Sequence, residues 1–486
     1  MDFLSDDRIG RTVLVELTYH DGTDLRNYYL SNKPYVTSPT ETPANTSYDD
    51  LLTAVPEIQN SVNAGFSIGS LRFMNTDGNF DEWWQYSFYG HPIKILLGPD
   101  GGAKSEFITL VDGINDGLTY PSKELVEIRF RNRALIFDVD SQPQTIGERI
   151  GHLYPSEILI EDVADEPCPI SLGKVFNVPA RRVASSSLLY IVHDDDDCEI
   201  TEVRDNGVAV TRVDNGDGTF TLSNPPNGNV TADVVTKLGL TTTADVVQNL
   251  ALRASSSVVF DTDSFSSYPT YSVGIFSPSS TTIISMINDV MLATTGYWYF
   301  NRLGEMVIGQ IQDPESFDEN DIKLFIDVDD IEFGRIRITD YQAPVDRVRI
   351  GYQRNYLVQD RDSLAGLVQT EDEDAVARYG REYNEVFTDT GLSPIAWPLL
   401  ESTELLGKLL SDKSDAQLEA DRLANLQSKQ RIQIRLNCFT RPFQLNIGDP
   451  VVLTHPKWSF SEGRKCVVVS TSEVPTNNRV ELELWL

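Results

Sequence analysis

Leu125-Val126-Glu127-Ile128-Arg129-Phe130-Arg131 alternates strictly, with Val126, Ile128 and Phe130 on one side and the three charged residues on the other. Successive side chains of a strand point to opposite faces, so this period marks a strand with one face on a core and one in water. Val480-Glu481-Leu482-Glu483-Leu484-Trp485-Leu486 repeats the pattern at the far end, with Trp485 on the side of the glutamates. Outward from the first stretch, runs at 12–19, 66–74, 93–97 and 107–114 are apolar and bounded by Gly, Pro, Asn or Asp. Such punctuation predicts antiparallel sheet, a sandwich or a barrel. Outward from the second, 345–352, 432–436, 450–454 and 466–470 read as strands. A helix over 414–428 precedes most of them, opened by the capping-box pattern Ser414-Asp415-Ala416-Gln417 and carrying Ala416, Ala420, Leu423 and Ala424 on one stripe. The chain thus has a β unit at each end.

Between these ends the pattern changes. Pro155, Pro167, Pro169 and Pro179 punctuate 150–190, which predicts a long connection across a surface. Asp205-Asn206-Gly207 and Asp214-Asn215-Gly216-Asp217-Gly218 are turn signals, so 190–235 reads as a small β insert. Thr243 is the expected cap of a helix to about 254, with Val246, Val247, Leu250 and Ala251 at helical spacing. Ile283, Met286, Ile287, Val290 and Met291 form the stripe of a second helix, with Gly296 as its C-terminal cap. A hairpin follows across Asn301-Arg302-Leu303-Gly304. Residues 255–281 read as loop with edge strands, and 355–395 as polar and irregular. The expected units are 1–165, a small β insert at 166–240, an α+β module at 241–335, and 336–486.

The chain has 486 residues, of which 73 are Asp or Glu and 40 Lys or Arg, a net charge of −33. That field repels phosphate and argues against a protein that grips nucleic acid. The N-terminus is acidic and lacks the basic start and apolar run of a secretory signal, and no window approaches a membrane span. The expectation is a soluble chain made in a cytoplasm, without membrane insertion. Cys168, Cys198, Cys438 and Cys466 are far apart, suggesting neither a zinc ribbon nor a disulfide scaffold.

Chemical motifs are few. Gly65-Phe66-Ser67-Ile68-Gly69 matches the G-x-S-x-G elbow, but strand character continues through Met74 and no βαβ pattern surrounds it. It is read as strand; a hydrolase built on Ser67 is the competing reading. Asn75-Thr76-Asp77-Gly78-Asn79-Phe80-Asp81 resembles a calcium loop but has Phe80 where the EF-hand needs Gly and Tyr86 where it needs Glu. It is read as a tight turn that aims the aromatics after it. Those aromatics, Trp83, Trp84, Tyr86 and Phe88, together with Trp485, are candidate subunit contacts, with core packing as the equal alternative. A short helical turn after an Asp cap is expected there. Asp194, Asp195, Asp196 and Asp197 are a candidate acidic surface or channel lining; a solvated face is preferred to a cation site. His20, His91, His152, His193 and His455 show no ligand spacing. No catalytic residue, cofactor or metal is assigned.

Four blocks together resemble the tail-tip or baseplate hub proteins of tailed bacteriophages. The first runs from Asn75 to Asp81, through Gly90-His91-Pro92-Ile93-Lys94-Ile95-Leu96-Leu97-Gly98 and on to Gly113. The second is Leu172-Gly173-Lys174-Val175-Phe176-Asn177-Val178-Pro179 with Tyr190-Ile191-Val192-His193-Asp194. The third is Gly296-Tyr297-Trp298-Tyr299-Phe300 with the turn after it. The fourth runs from Asp415 to Arg422, then Ile447-Gly448-Asp449-Pro450-Val451-Val452-Leu453-Thr454-His455-Pro456, and ends at Trp485. Their order carries the resemblance, and they cover most of the chain.

The resemblance implies a mainly β fold with α+β modules, in which two barrel-like, tube-type β domains at the ends flank smaller inserted domains. Residues 1–165 and 336–486 would be those tube-like units. It implies a homotrimer with pseudo-sixfold symmetry, joining a sixfold tail tube to a threefold tip around the DNA ejection channel. The implied partners are a tail tube or distal tail protein, a central fibre or spike protein and a tape-measure protein, with DNA passing without specific binding. The implied location is the virion tail, after assembly in the host bacterial cytoplasm. Some hubs hold an iron–sulfur cluster through clustered cysteines; the dispersed cysteines here depart from that. Because the chain ends on a strand, receptor binding or wall cleavage is expected to fall to separate proteins. The alternative reading is an adhesion module that binds a host receptor or glycan through the aromatic patch.

Overall fold

A computed structural model describes residues 9–54, 58–62, 68–439, 441–474 and 479–486. Nine strands form the N-terminal sheet. From edge to edge they are Tyr35–Val36, Ser47–Asp50, Leu25–Ser31, Arg11–His20, Pro92–Pro99, Ile108–Ser122, Leu125–Asn132, Ile68–Met74 and Leu52–Ala54. The alternation of 125–131 is realised: Ile128 lies opposite Leu71 on one neighbour and Leu118 on the other. Val126, Ile128 and Phe130 are fully buried. The C-terminal sheet runs Leu324–Ile326, Pro450–His455, Phe460–Val474, Arg479–Trp485, Arg431–Cys438 and Ile331–Gln342. A seventh strand, Ile58–Ser61, comes from the N-terminal part of the chain and pairs with Phe460–Val474, placing Ser61 opposite Ser470 and Ile58 opposite Glu473.

The two sheets share one core. Val13, Val15, Leu17, Leu71, Phe73, Ile128 and Phe130 pack in the same cluster as Ile434, Leu436, Val451, Leu453, Leu482 and Leu484. Among the described residues neither hydrogen-bonded ladder closes into a complete barrel, but each sheet curves round until strands at or near its two edges are adjacent in the chain: Ser47–Asp50 and Leu52–Ala54 in the first, Leu324–Ile326 and Ile331–Gln342 in the second. The opposite face of the N-terminal sheet is partly sealed by Tyr35 and Tyr48 over Leu14 and Leu96.

The middle of the chain departs from expectation in instructive ways. The proline-punctuated region predicted to cross a surface contains the buried strand Ile170–Pro179, lying between Val230–Thr236 and Gly274–Ser277 in a five-stranded sheet. Pro167 and Pro169 stand before it and Pro179 closes it, where a missing N–H breaks no central ladder. Its period is interrupted at Gly173, whose φ is +78° and whose Cβ position would lie 2.0 Å from the Val273 carbonyl oxygen. The Asp205-Asn206-Gly207 turn does join two strands, Cys198–Asp205 and Val208–Ala209.

Helix caps fall one or two residues from where the sequence puts them. Thr242, not Thr243, caps Thr243–Ala254, accepting from the Asp245 N–H while Asp245 accepts from Thr242. The helix Ile283–Ala293 ends with Thr295 at φ +47°, and Gly296 instead begins a strand. The last helix is Lys413–Gln427, capped at Asp412, so the expected box at Ser414 lies inside its first turn. Asp415 is diverted to the Ser272 N–H, 2.8 Å away. Residues 355–395 hold two short helices, Gly366–Glu371 and Glu373–Tyr379, and the strand Asn384–Asp389. Such short elements carry too few residues to show a period.

A second core joins the central helices to the later chain: Leu250, Ile287 and Val290 pack with Val348, Ile350, Ala420, Leu423 and Trp485. Among the described residues no helix is long and apolar enough to cross a membrane.

Ile128→Ala and Leu482→Ala each open a cavity in the shared core and are expected to cost about 2–5 kcal/mol. Because the core is common, either change lowers amide protection in both terminal sheets together. Hydrogen exchange of each variant checks this; loss confined to the mutated sheet contradicts it.

Candidate functional site

The aromatic segment after Asp81 is set by a turn. Asn75 is buried; its amide donates to the Asp81 carboxylate at 2.8 Å and its oxygen accepts the Phe80 N–H at 3.1 Å. Gly78, at φ +70°, lets the chain reverse. The following residues form a single 3₁₀ turn, Trp83–Gln85, whose cap position is Glu82 and carries no side-chain cap. The turn sorts the aromatics. Trp83 is buried among Phe80, Phe88, Tyr28, Tyr19 and Phe73, with ring centroids 4.7–5.8 Å away. Phe88 is buried and Tyr86 stacks on Tyr19 at 5.6 Å. Trp84 points outward, 70% exposed, with Tyr89 at 65%. The segment therefore anchors its turn with Trp83 and Phe88 and presents Trp84 and Tyr89 to solvent.

Trp485 belongs to a different core cluster from Trp83 and Phe88. It is buried under the Arg431 guanidinium, 4.5 Å from the ring centroid, beside a cavity of about 610 Å³ whose walls include Val62, Leu426 and Val469.

The acidic run splits in the same manner. Asp194 takes the Arg253 guanidinium at 2.8 Å and 3.0 Å. His193 is fully buried; its Nδ1 accepts the Ser171 N–H at 3.0 Å, so Nε2 carries the proton that it donates to Asp197. Asn249 also donates to Asp197, at 3.1 Å. Burial alone would raise the Asp197 carboxyl, but the hydrogen bond from His193, with Asn249 and Arg253, overrides it and holds the group well below the usual carboxylate range. Burial would likewise lower Arg253, and Asp194 reverses that, so its guanidinium is held more firmly charged. Asp195 and Asp196 face solvent, and Lys237 reaches the Asp196 carbonyl. Two of the four acids thus serve an internal ion-pair network and two lie on the surface. Asn249 and Arg253 are four residues apart on one helix, which places them on one polar face; nothing in the sequence ties that face to residues 193–197.

The four cysteines are buried free thiols. Burial pushes Cys168 and Cys198 up to about 12, so they are poor nucleophiles and poor metal ligands. Among the described residues no cluster of His, Cys, Asp and Glu is arranged to hold a metal. Ser67 lies outside the described residues.

No family model matches the chain, and no curated protein matches it. Among solved structures it is similar to a tail protein from Neisseria meningitidis, at 9% identity and a TM-score of 0.44 over 98% of this chain and 97% of that one. It is similar to the 43 kDa tail protein of prophage MuSo2 from Shewanella oneidensis, at 10% identity and 0.38 over 98% and 96%. It is also similar to the prophage tail protein gp18 from Listeria monocytogenes, at 7% identity and 0.40 over 97% and 94%.

Trp83→Ala is expected to cost about 3–5 kcal/mol, whereas Trp84→Ala changes stability by no more than about 0.5 kcal/mol; denaturant unfolding of the two variants checks the sorting. Asp197→Asn is expected to cost about 1–2 kcal/mol at neutral pH. The folded carboxyl titrates below the unfolded one, so its contribution is present above about pH 4 and fades as the pH falls further. Unfolding curves at several pH values should therefore show the variant and the parent converging in acid.

Proposed function

We propose that this chain is the structural hub of a phage tail tip or baseplate: a homotrimeric ring that joins the sixfold tail tube to the threefold tip and lines the DNA ejection channel. The observation that carries the reading is the shared core. One chain supplies two β sheets joined through one apolar cluster and through the strand Ile58–Ser61, so three copies supply six sheet units. That is the arithmetic needed to meet a sixfold tube with a threefold partner.

Charge supports the same reading. A net charge of −33 gives a surface past which phosphate slides without adhering. Asp194 and Asp197 are engaged in an internal ion-pair network, and Asp195 and Asp196 add to the exposed acidic surface. On this reading the units at 1–165 and 336–486 form the ring and the middle modules decorate it. A tail tube or distal tail protein, a central fibre or spike and a tape-measure protein are its neighbours in the virion tail, and assembly takes place in the bacterial cytoplasm. The chain has no catalytic role in this scheme.

A second reading rests on Trp84 and Tyr89, exposed on a rigid turn, as an aromatic platform for a host glycan or receptor.

Mass measurement of the purified chain, alone and with its tail-tube partner, and imaging of particles check the hub. A trimer with an axial hole is expected; a monomer under both conditions overturns the reading. Neutralising the acids of the ring units that face the axial hole in such images is expected to slow DNA ejection, and unchanged kinetics count against a channel role for the charge. Binding to cell envelopes by the isolated chain, lost in Trp84→Ala, would favour the second reading.

A further inference from the structure

Two of the stretches of strand edge that the terminal sheets leave without a partner among the described residues stand apart. The first is Ile331–Gln342, the outermost strand of the C-terminal sheet, paired on one side only with Arg431–Cys438. The second is 25–29, on the outer side of Leu25–Ser31, since Ser47–Asp50 pairs with that strand only at Leu30 and Ser31. An open strand edge is a row of unpaired N–H and C=O groups and a template for another strand.

These edges differ in a complementary way. On the first, the pairing jumps from Ile331 opposite Cys438 to Ile336 opposite Leu436, so 332–335 bulge outward around Gly334. Phe333 stands wholly exposed at the tip, with Ile338 and Tyr341 exposed further along. The side chains of Arg335 and Arg337 have no ion pair or hydrogen bond among the described residues, although the chain carries a large excess of acid. The second edge is acidic. Asp21, Asp24, Asp49 and Asp50 surround it, against Arg26, which Asp21 already holds at 2.7 Å. Leu25 is exposed beside them. A strand with two unpaired arginines, beside Asp340 and a Glu332 that Arg479 holds, and with outward aromatics, and an acidic edge with an outward leucine thus occupy different sheets of one molecule.

We infer that these edges pair between copies: the strand Ile331–Gln342 of one copy adds to 25–29 of the next through main-chain hydrogen bonds, with Arg335 and Arg337 facing the carboxylates of Asp24, Asp49 and Asp50. The partner is a second copy of this chain. Nucleic acid, the other ligand suggested by unpaired arginines, is repelled by the surrounding field. Because two different surfaces meet, the contact is heterologous and builds a ring when the rotation closes. The inference rests on the hub reading for the number of copies in the ring; the assignment of the edges stands on the charges and the open strands.

The test uses the full chain. Sedimentation gives its mass, and amide exchange reports protection at 336–342, each at low and high protein concentration. The parent is expected to associate, with protection at 336–342 rising with concentration. Arg335→Glu with Arg337→Glu is expected to weaken association at least about tenfold and to abolish that rise, since like charges then face each other. Adding Asp24→Lys and Asp50→Lys to the same chain restores opposite charges and is expected to restore both signals. All four positions are exposed, so the fold is retained, and circular dichroism checks that. Association unaffected by the arginine reversal, or a ring in which 336–342 exchange freely, overturns the edge assignment and leaves the hub reading standing. A parent chain that stays monomeric alone and with its tube partner overturns both.

Discussion

The structure depends on one feature, the apolar cluster shared by two sheets built from opposite ends of the chain. A sheet that is apolar on one face must hide it. Val13, Leu71, Ile128 and Phe130 of the N-terminal sheet are buried in the same cluster as Ile434, Leu453, Leu482 and Leu484 of the C-terminal one. The strand Ile58–Ser61 fixes the arrangement by leaving the first unit to join the ladder of the second. With the ends locked together, the middle of the chain must leave and return at the same side of the molecule. Its helices pack on the later chain in a second core, and its small β insert has a core of its own.

Charge follows the same division between inside and outside. The acid excess invites the picture of a uniformly solvated negative surface, yet several acids are spent on holding modules together. Asp194 and Asp197 tie the small β insert to the helix Thr243–Ala254 through Arg253 and Asn249. Asp313 holds Lys429 and Arg431 beside the last helix, and Asp330 holds Arg441. In a low-dielectric setting such pairs fix geometry more than they add stability, because desolvation offsets much of their attraction. What remains outside is the charge available for partners. It is uneven, with two arginines unpaired among the described residues, Arg335 and Arg337, on the strand Ile331–Gln342 and an acidic edge near Asp24 and Asp50.

Alternation was the readable signal for the terminal sheets because each has one buried face, and a strand of that kind writes its environment into every second residue. The strand Ile170–Pro179 is buried along nearly its whole length, so it shows a continuous apolar run instead, and its flanking prolines then read as a connection. The helices were legible from their stripes, but their caps were not. Thr242 and Thr243 are equally good caps by residue type, and only the backbone at Thr242 is extended. Ser414 lost the expected capping role because the helix already begins at Lys413, and Gln417 donates to Thr388 and Asp421 instead. The aromatic block shows the same limit: Trp83 and Trp84 are adjacent and chemically identical, and the 3₁₀ turn sends one inward and the other outward.

By itself the sequence determined a β-rich chain with a strand-forming unit at each end, an α+β middle, and a charge balance unsuited to gripping nucleic acid. These are properties of residue type and local period, which every short segment carries with it. Tertiary structure alone decided that the two end units share one apolar cluster, that Asp194 and Asp197 turn inward while Asp195 and Asp196 do not, and which strand edges stay free. Each of those outcomes depends on which distant residue arrives beside a given one, and that is a property of packing which no local pattern records.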